Sequence, residues 1–177
     1  MNLPLLSTRI CNYPIIKQTQ KQAQKFTFAF AFYFSTIFKC YYSNSTRNSN
    51  IPFLIKPNNH ELGEMFGVTL KTKKEIIEHT RKLQDMGARN VLISMAGDGA
   101  LMLTEDGSVY ESAAPKGTLV NSVGAGDSMV AGFICGYKET GSLEDAFYMA
   151  VATGSASAFS KNLATRAEAD ALLATIR

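Results

Sequence analysis

The sequence predicts an α/β protein whose sheet is largely parallel and flanked by helices. Three observations predict it. Short apolar runs, Pro52–Lys56 and Val91–Ser94, alternate with segments whose apolar residues recur at helical spacing. Capping signals open several of those segments: Asn58 with Glu61, Thr72 with Glu75, and Thr165 with Glu168. A glycine-rich turn, Val123-Gly-Ala-Gly126, runs straight into a further helical segment.

The elements follow in order. Pro52-Phe-Leu-Ile-Lys56 is apolar and ended by Pro57, which reads as a buried strand. Asn58 is a good helix N-cap with Glu61 at the N3 position. Thr72 and Glu75 open a second helix that turns Ile76, Ile77, Leu83 and Met86 inward and stops at Gly87. Val91–Ser94 is the next buried strand. Ala96-Gly-Asp-Gly99 turns the chain into a strand through Leu103, and Glu105-Asp106-Gly107 makes a hairpin to Val109-Tyr110. A helix then runs from the Gly-Ala-Gly-Asp turn to about Thr140, another from Ser142 to about Phe159, and a last one from Thr165 onward.

Composition divides the chain. Of 18 Lys and Arg, six lie in residues 1–50, which hold no acid and none of the 13 glycines. Residues 51–177 hold the other twelve basic residues and all 15 acids, so this body carries −3 although the chain carries +3. The basic excess belongs to the leader and is no argument for nucleic-acid binding. Within the leader, Phe recurs at every second position from Phe26 to Phe34, a strand-like and aggregation-prone pattern. The uncharged run of residues 26–38 is short for a membrane span, which needs about 20 residues. A basic stretch before an apolar one also resembles a signal or transit segment, without a convincing small-residue cleavage site. The reading preferred here is that residues 1–50 are a non-native leader, such as a truncated gene read from an upstream start would give, with Ser43–Asn50 a disordered joint. Cys11, Cys40 and Cys135 show no metal-type spacing, and Cys135 is expected as a small core residue on an apolar helix face with Val130, Ala131 and Ile134.

The chemistry centres on residues 121–133. A tight glycine turn entering a helix leaves the first helical amides without internal partners, and the helix dipole adds positive potential there. That is a ready anion site, and Gly124 and Gly126 let a phosphate approach the backbone. Asp127 stands on the first turn beside the bound anion. Its chemical use there is to take a proton from a hydroxyl that attacks the phosphate. The bland alternative is a turn with an Asp cap. At the carboxyl ends of the strands, where α/β folds bind ligands, Lys56, Ser94 and the turn after Asn121 are expected to converge. Lys56 is either a solvated lysine or a point charge for phosphoryl oxygens. Asn58 and Glu61 are either a capping box, the better reading from spacing alone, or an outer-sphere hold on hydrated Mg²⁺. Ser94, Gly97 and Gly99 form either a β-turn or a nucleotide-binding loop.

Lys56-Pro-Asn-Asn-His-Glu61, Ser94-Met-Ala-Gly-Asp-Gly-Ala100 and Asn121-Ser-Val-Gly-Ala-Gly-Asp127 occur in the order of the PfkB, or ribokinase-like, sugar kinases, and residues 51–177 resemble the C-terminal nucleotide-binding part of that family. The resemblance implies a ribokinase-like fold that is incomplete on its N-terminal side, with Asp127 as catalytic base and an anion hole at Gly124, Ala125 and Gly126. It implies nucleotide contacts from Lys56, Ser94, Gly97 and Gly99, a weaker adenine-pocket match at Asn162, and Asn58 and Glu61 as the element that organises Mg²⁺ through water. ATP and Mg²⁺ are the implied cofactors and a phosphorylated sugar the implied partner, in a cytoplasmic protein that needs neither membrane nor nucleic acid and can form the homodimer found in the family. Within the family the wording is closest to the members that phosphorylate fructose 1-phosphate, another sugar phosphate such as tagatose 6-phosphate being the alternative. The family's sugar-binding and lid segments are not recognisable in residues 1–50, so a catalytically inactive nucleotide-binding remnant stands as the second expectation for the chain. An unpaired sheet edge is expected with it.

Overall fold

The computed structural model describes residues 52–177, and the readings given for residues 1–50 lie outside them. Four strands, β1 (Leu54–Ile55), β2 (Asn90–Ser94), β3 (Ala100–Leu103) and β4 (Val109–Ser112), form one sheet in that spatial order. Among the described residues five helices accompany them: α1 (Asn59–Phe66), α2 (Lys73–Asp85), α3 (Ala125–Thr140), α4 (Leu143–Phe159) and α5 (Arg166–Ile176). The α/β class and the element order are those the sequence predicts.

The sheet itself is mixed. β1 pairs parallel to β2, whereas β2–β3 and β3–β4 are antiparallel. Connection length decides this. The β1–β2 crossover contains two helices, as parallel neighbours need, while β2–β3 and β3–β4 are joined by short turns that can only reverse the chain. The parallel character expected from strand–helix alternation is confined, among the described residues, to the first pair.

Side-chain alternation along the strands builds two apolar layers. Phe53, Leu92, Ala100 and Met102 pack with Met129 and Phe133 of α3 and Ala146, Phe147, Ala150 and Val151 of α4. Ile55, Val91, Ile93 and Leu101 point the other way and pack with Leu62 of α1 and Ile76 and Leu83 of α2. Both faces of β2 and β3 are therefore covered, which explains their continuous apolar sequences. Phe133 and Phe147 are almost wholly enclosed, each contributing about 1.5–3 kcal/mol of burial energy.

Two helix faces depart from the sequence reading. Met86 lies beyond the end of α2 and is 71% exposed, so Leu83, Ile76 and Thr80 face the core without it. In α3 the buried face is Ser128, Met129, Gly132, Phe133 and Gly136, while Ala131 and Cys135 are exposed. Close helix approach is the reason. A Cβ on Gly132 would lie 2.5 Å from Thr153 Oγ1, and one on Gly136 would lie 2.9 Å from Ala146 Cα. Glycines let the backbones of α3 and α4 approach closely, so the contact face combines Gly132 and Gly136 with the apolar Met129 and Phe133.

Candidate active site

Helix α1 closes its own N-terminus. The Asn58 side chain accepts from the Glu61 amide at 2.8 Å, and the Asn58 amide donates to Glu61 Oε2 at 2.8 Å. Helices α2 and α5 do the same with Thr72 and Glu75 and with Thr165 and Glu168. Ser142 caps α4.

Helix α3 begins differently. Its N-cap is Gly124, at φ 81°, with no side-chain cap. That angle is left-handed and suits glycine. The Val123 amide is taken by Asn121 Oδ1 and the Ala125 amide by the Ser122 carbonyl. The amides of Gly124, Gly126 and Asp127 find no acceptor among the described residues. The open donors are thus shifted by one from the expected set: Ala125 is occupied and Asp127 joins.

Lys56 reaches this opening from the end of β1. A Cβ on Gly126 would lie 3.3 Å from Lys56 Nζ and 3.5 Å from its Cε, so the lysine stem runs against the first turn of α3. Gly126 itself has ordinary helical backbone, and its need to be small comes from Lys56. Lys56 Nζ donates to Ser94 Oγ at 3.3 Å. Burial pushes its ammonium below the ordinary lysine value, while the charges of Glu61 and Asp127 pull it back up. Lys56, Ser94 and Gly126 therefore meet at the carboxyl ends of β1 and β2, with Asp127 next in the chain after Gly126 and the charges of Glu61 and Asp127 felt by the lysine.

The loop after β2 divides the remaining expectations. Gly99, at φ 92°, sits so close to β4 that a Cβ would lie 2.0 Å from the Ser112 carbonyl oxygen. Its requirement is the turn into β3. Gly97 is exposed on a 3-10 turn, Ala96–Asp98, with open space around it. Asn162 is exposed in the loop between α4 and α5. The neighbouring Leu163 brings that loop to the glycine turn, where a Cβ on Gly124 would lie 2.9 Å from Leu163 Cδ2.

Two features escape the sequence reading. Val123 and Leu163 are 79% and 66% exposed, an apolar rim beside the open amides. Beneath it, buried Ser157 of α4 donates to Ser128 Oγ at 2.8 Å and accepts from the Ala164 amide at 3.0 Å. This ties the 160–164 loop to the first turn of α3. Isolated serines at these positions carry no local signal.

Among the described residues no three His, Cys, Asp or Glu side chains cluster to hold a metal ion. Asn58 Oδ1 and Glu61 Oε2 serve the α1 cap, and Glu61 Oε1 makes no hydrogen bond among the described residues. One free carboxylate oxygen fits a hydrated Mg²⁺ held mainly by water and phosphate, and does not fit a protein cage. No described helix is long and apolar enough to cross a membrane.

The model of the pfkB family of carbohydrate kinases matches residues 11–170. The chain is 51% identical over 126 residues to the 1-phosphofructokinase of Bacillus subtilis (strain 168), covering 71% of this chain and 41% of that protein. It is 45% identical over 114 residues to the D-tagatose-1-phosphate kinase of Bacillus licheniformis, covering 63% of this chain and 37% of the relative. Among solved structures, a putative phosphofructokinase from Staphylococcus aureus aligns with a TM-score of 0.68 at 39% identity, over 72% of this chain and 42% of that one. Phosphofructokinase-2 from Escherichia coli in complex with substrates and products aligns with a TM-score of 0.66 at 26% identity, over 71% and 41%. The chain thus spans about two fifths of the length of these relatives, and it belongs to the pfkB family of carbohydrate kinases.

Proposed function

We propose that residues 52–177 form the nucleotide side of an ATP-dependent sugar-phosphate kinase that acts on fructose 1-phosphate and yields fructose 1,6-bisphosphate and ADP. The observation that carries the proposal is Lys56 Nζ set against Gly126 at the uncapped start of α3, one residue before Asp127. Free amides and the helix dipole hold the phosphate undergoing transfer, and Lys56 supplies a point charge to its oxygens. Asp127 accepts the proton of the attacking hydroxyl. Such a site works by positioning and fixed electrostatics rather than by covalent chemistry.

Asn58 and Glu61 would hold hydrated Mg²⁺ against the phosphates, and the ion would neutralise charge that develops in transfer. The base of ATP is assigned to the rim of Val123, Leu163 and Asn162, with its phosphates beside Ser94 and Gly97. The Bacillus licheniformis relative favours a second reading, a tagatose phosphate as acceptor. The reading sets the protein in the cytoplasm, the compartment of ATP and phosphorylated sugars.

The test has two arms. Purified chain is expected to bind Mg·ATP weakly and to show no sugar-dependent ADP release, because the described residues gather around the phosphates and the sugar contacts are assigned to the other part of the family fold. A chimera is then made, in which the matched 126 residues of the Bacillus subtilis relative are replaced by those of this chain. It should release ADP with fructose 1-phosphate in preference to tagatose phosphates. A folded chimera with no sugar-dependent ADP release would overturn the proposal, and a preference for a tagatose phosphate would select the second reading.

A further inference from the structure

Ser157 stands near the end of α4 and does not bond as a helical hydroxyl commonly does. Thr80, Thr140 and Thr153 each donate to the carbonyl four residues back in their own helix. Ser157 makes no such bond among the described residues. It donates out of its helix to Ser128 Oγ at 2.8 Å and accepts from the Ala164 amide at 3.0 Å. A hydroxyl has one proton to donate, and this one is committed to α3. Its lone pairs are thereby turned toward Ala164. Both serines are buried, where a polar group that loses its partner is costly.

The next residue grips the other side of the glycine turn. The Ala158 carbonyl accepts from the Val120 amide at 2.9 Å and from the Asn121 amide at 3.0 Å. Asn121 Oδ1 in turn accepts from the Val123 amide at 3.0 Å. Ser157 and Ala158 thus hold three things at once: the segment that enters the glycine turn, the first turn of α3 that leaves it, and the loop that carries Asn162 and Leu163. That loop closes on the turn, since a Cβ on Gly124 would lie 2.9 Å from Leu163 Cδ2.

We propose that Ser157 is a positioning residue that holds the 160–164 loop in register with the open amides of α3, so that the base and the phosphates of one nucleotide are received together. This rests on the reading of the opening as a phosphate site and of the rim as a base site. Two subsites fixed at one spacing act as a single site, whereas subsites that drift must be ordered when the ligand binds. The tie therefore acts on a ligand that spans both subsites and not on a bare phosphate chain. Ser128 acts through Ser157, by taking its proton and aiming its lone pairs at the loop.

The experiment titrates the full chain with Mg·ATP and with Mg·tripolyphosphate. Ser157→Ala should weaken Mg·ATP about tenfold, the range of a buried amide that loses its acceptor, and should leave Mg·tripolyphosphate nearly unchanged. Ser128→Ala should give a smaller loss with the same selectivity, and no further loss in the Ser157→Ala background. An equal loss for both ligands, no loss for either, or losses that simply add would overturn the inference. Circular dichroism checks that each variant is folded, and Ser128→Ala, which leaves the Ala164 amide its acceptor, carries the test if Ser157→Ala does not fold. A further readout needs no ligand: nitrogen relaxation of the Asn162 and Leu163 amides in the free chain. Both amides should become mobile in Ser157→Ala and, to a lesser degree, in Ser128→Ala. A loop as rigid in the variants as in the unmodified chain also overturns the inference. If the unmodified chain binds neither ligand while the loop loosens on loss of the hydroxyl, the tie stands and the nucleotide reading falls.

Discussion

The N-terminus of α1 follows Lys56 by two residues and that of α3 packs against its side chain, and the two ends solve the same problem in opposite ways. Every helix begins with amides that lack internal partners. At α1 the chain satisfies two of them with its own Asn58 and Glu61, reciprocally and at 2.8 Å each. At α3 a left-handed glycine supplies no side chain, and the amides of Gly124, Gly126 and Asp127 stay open among the described residues. The first arrangement contributes stability. The second gives that up and leaves donors for an external anion, with Lys56 alongside. Removing a side chain should therefore cost stability at α1 and should cost function at α3.

Asp127→Asn gives the largest effect. In the chimera with the Bacillus subtilis relative, turnover should fall by about 10²–10⁴, the span of general-base removal, while Mg·ATP affinity is kept. Steady-state ADP release and nucleotide titration measure the two quantities. Unchanged turnover would reduce Asp127 to an ordinary first-turn acid.

Gly126→Val comes next. A branched side chain in the place where a Cβ would already lie 3.3 Å from Lys56 Nζ must displace the ammonium from the opening. Mg·ATP affinity should drop about tenfold, the size of one charge-assisted contact, with helix α3 intact by circular dichroism. An unchanged affinity in a folded variant would make Gly126 only a convenient small residue.

The contrast between the two termini also marks what the sequence could show. Capping boxes are local: Asn58 and Glu61, Thr72 and Glu75, and Thr165 and Glu168 are three residues apart, and all three boxes form. The glycine turn into α3 is equally local. The buried face of α3 is not. Val130, Ala131, Ile134 and Cys135 have a plausible apolar spacing, but α4 takes the face of Gly132 and Gly136, because closeness of backbones outweighs side-chain apolarity there. A legible signal was present in the four-residue spacing of those two glycines. The Lys56–Ser94 contact spans 38 positions, and the Ser157–Ser128 contact spans 29. Such pairs are created by the sheet and by helix packing, so no local pattern announces them. The sheet's mixed character was implicit in the Glu105-Asp106-Gly107 hairpin, and strand–helix alternation before it pointed the other way.

Asn58→Ala tests the closed end. Loss of an Asn N-cap should destabilise the chain by about 1 kcal/mol in denaturant unfolding. Mg·ATP affinity should fall much less than in Gly126→Val if Asn58 is chiefly a cap. A loss of affinity that matches the Gly126 variant and disappears without Mg²⁺ would instead show that the ion is held there.

The smallest effect concerns protons at another closed end. In α2, Glu75 receives the Lys71 and Thr72 amides at 2.7 and 2.9 Å, and those hydrogen bonds hold its carboxyl below the ordinary glutamate value of 4.5. A carboxylate with a depressed folded value stabilises the fold above its unfolded value. That contribution is lost as pH falls through the folded value. Glu75 is exposed, so solvent and salt keep the effect small. Glu75→Gln should therefore be slightly less stable than the unmodified chain near neutral pH. Below 4.5 the two unfolding midpoints should draw together, because the unmodified chain loses the same charge. Urea midpoints taken at closely spaced pH values would show the convergence. A constant offset across the acid range would mean that the amide hydrogen bonds survive in the neutral side chain, and that charge adds nothing to this cap.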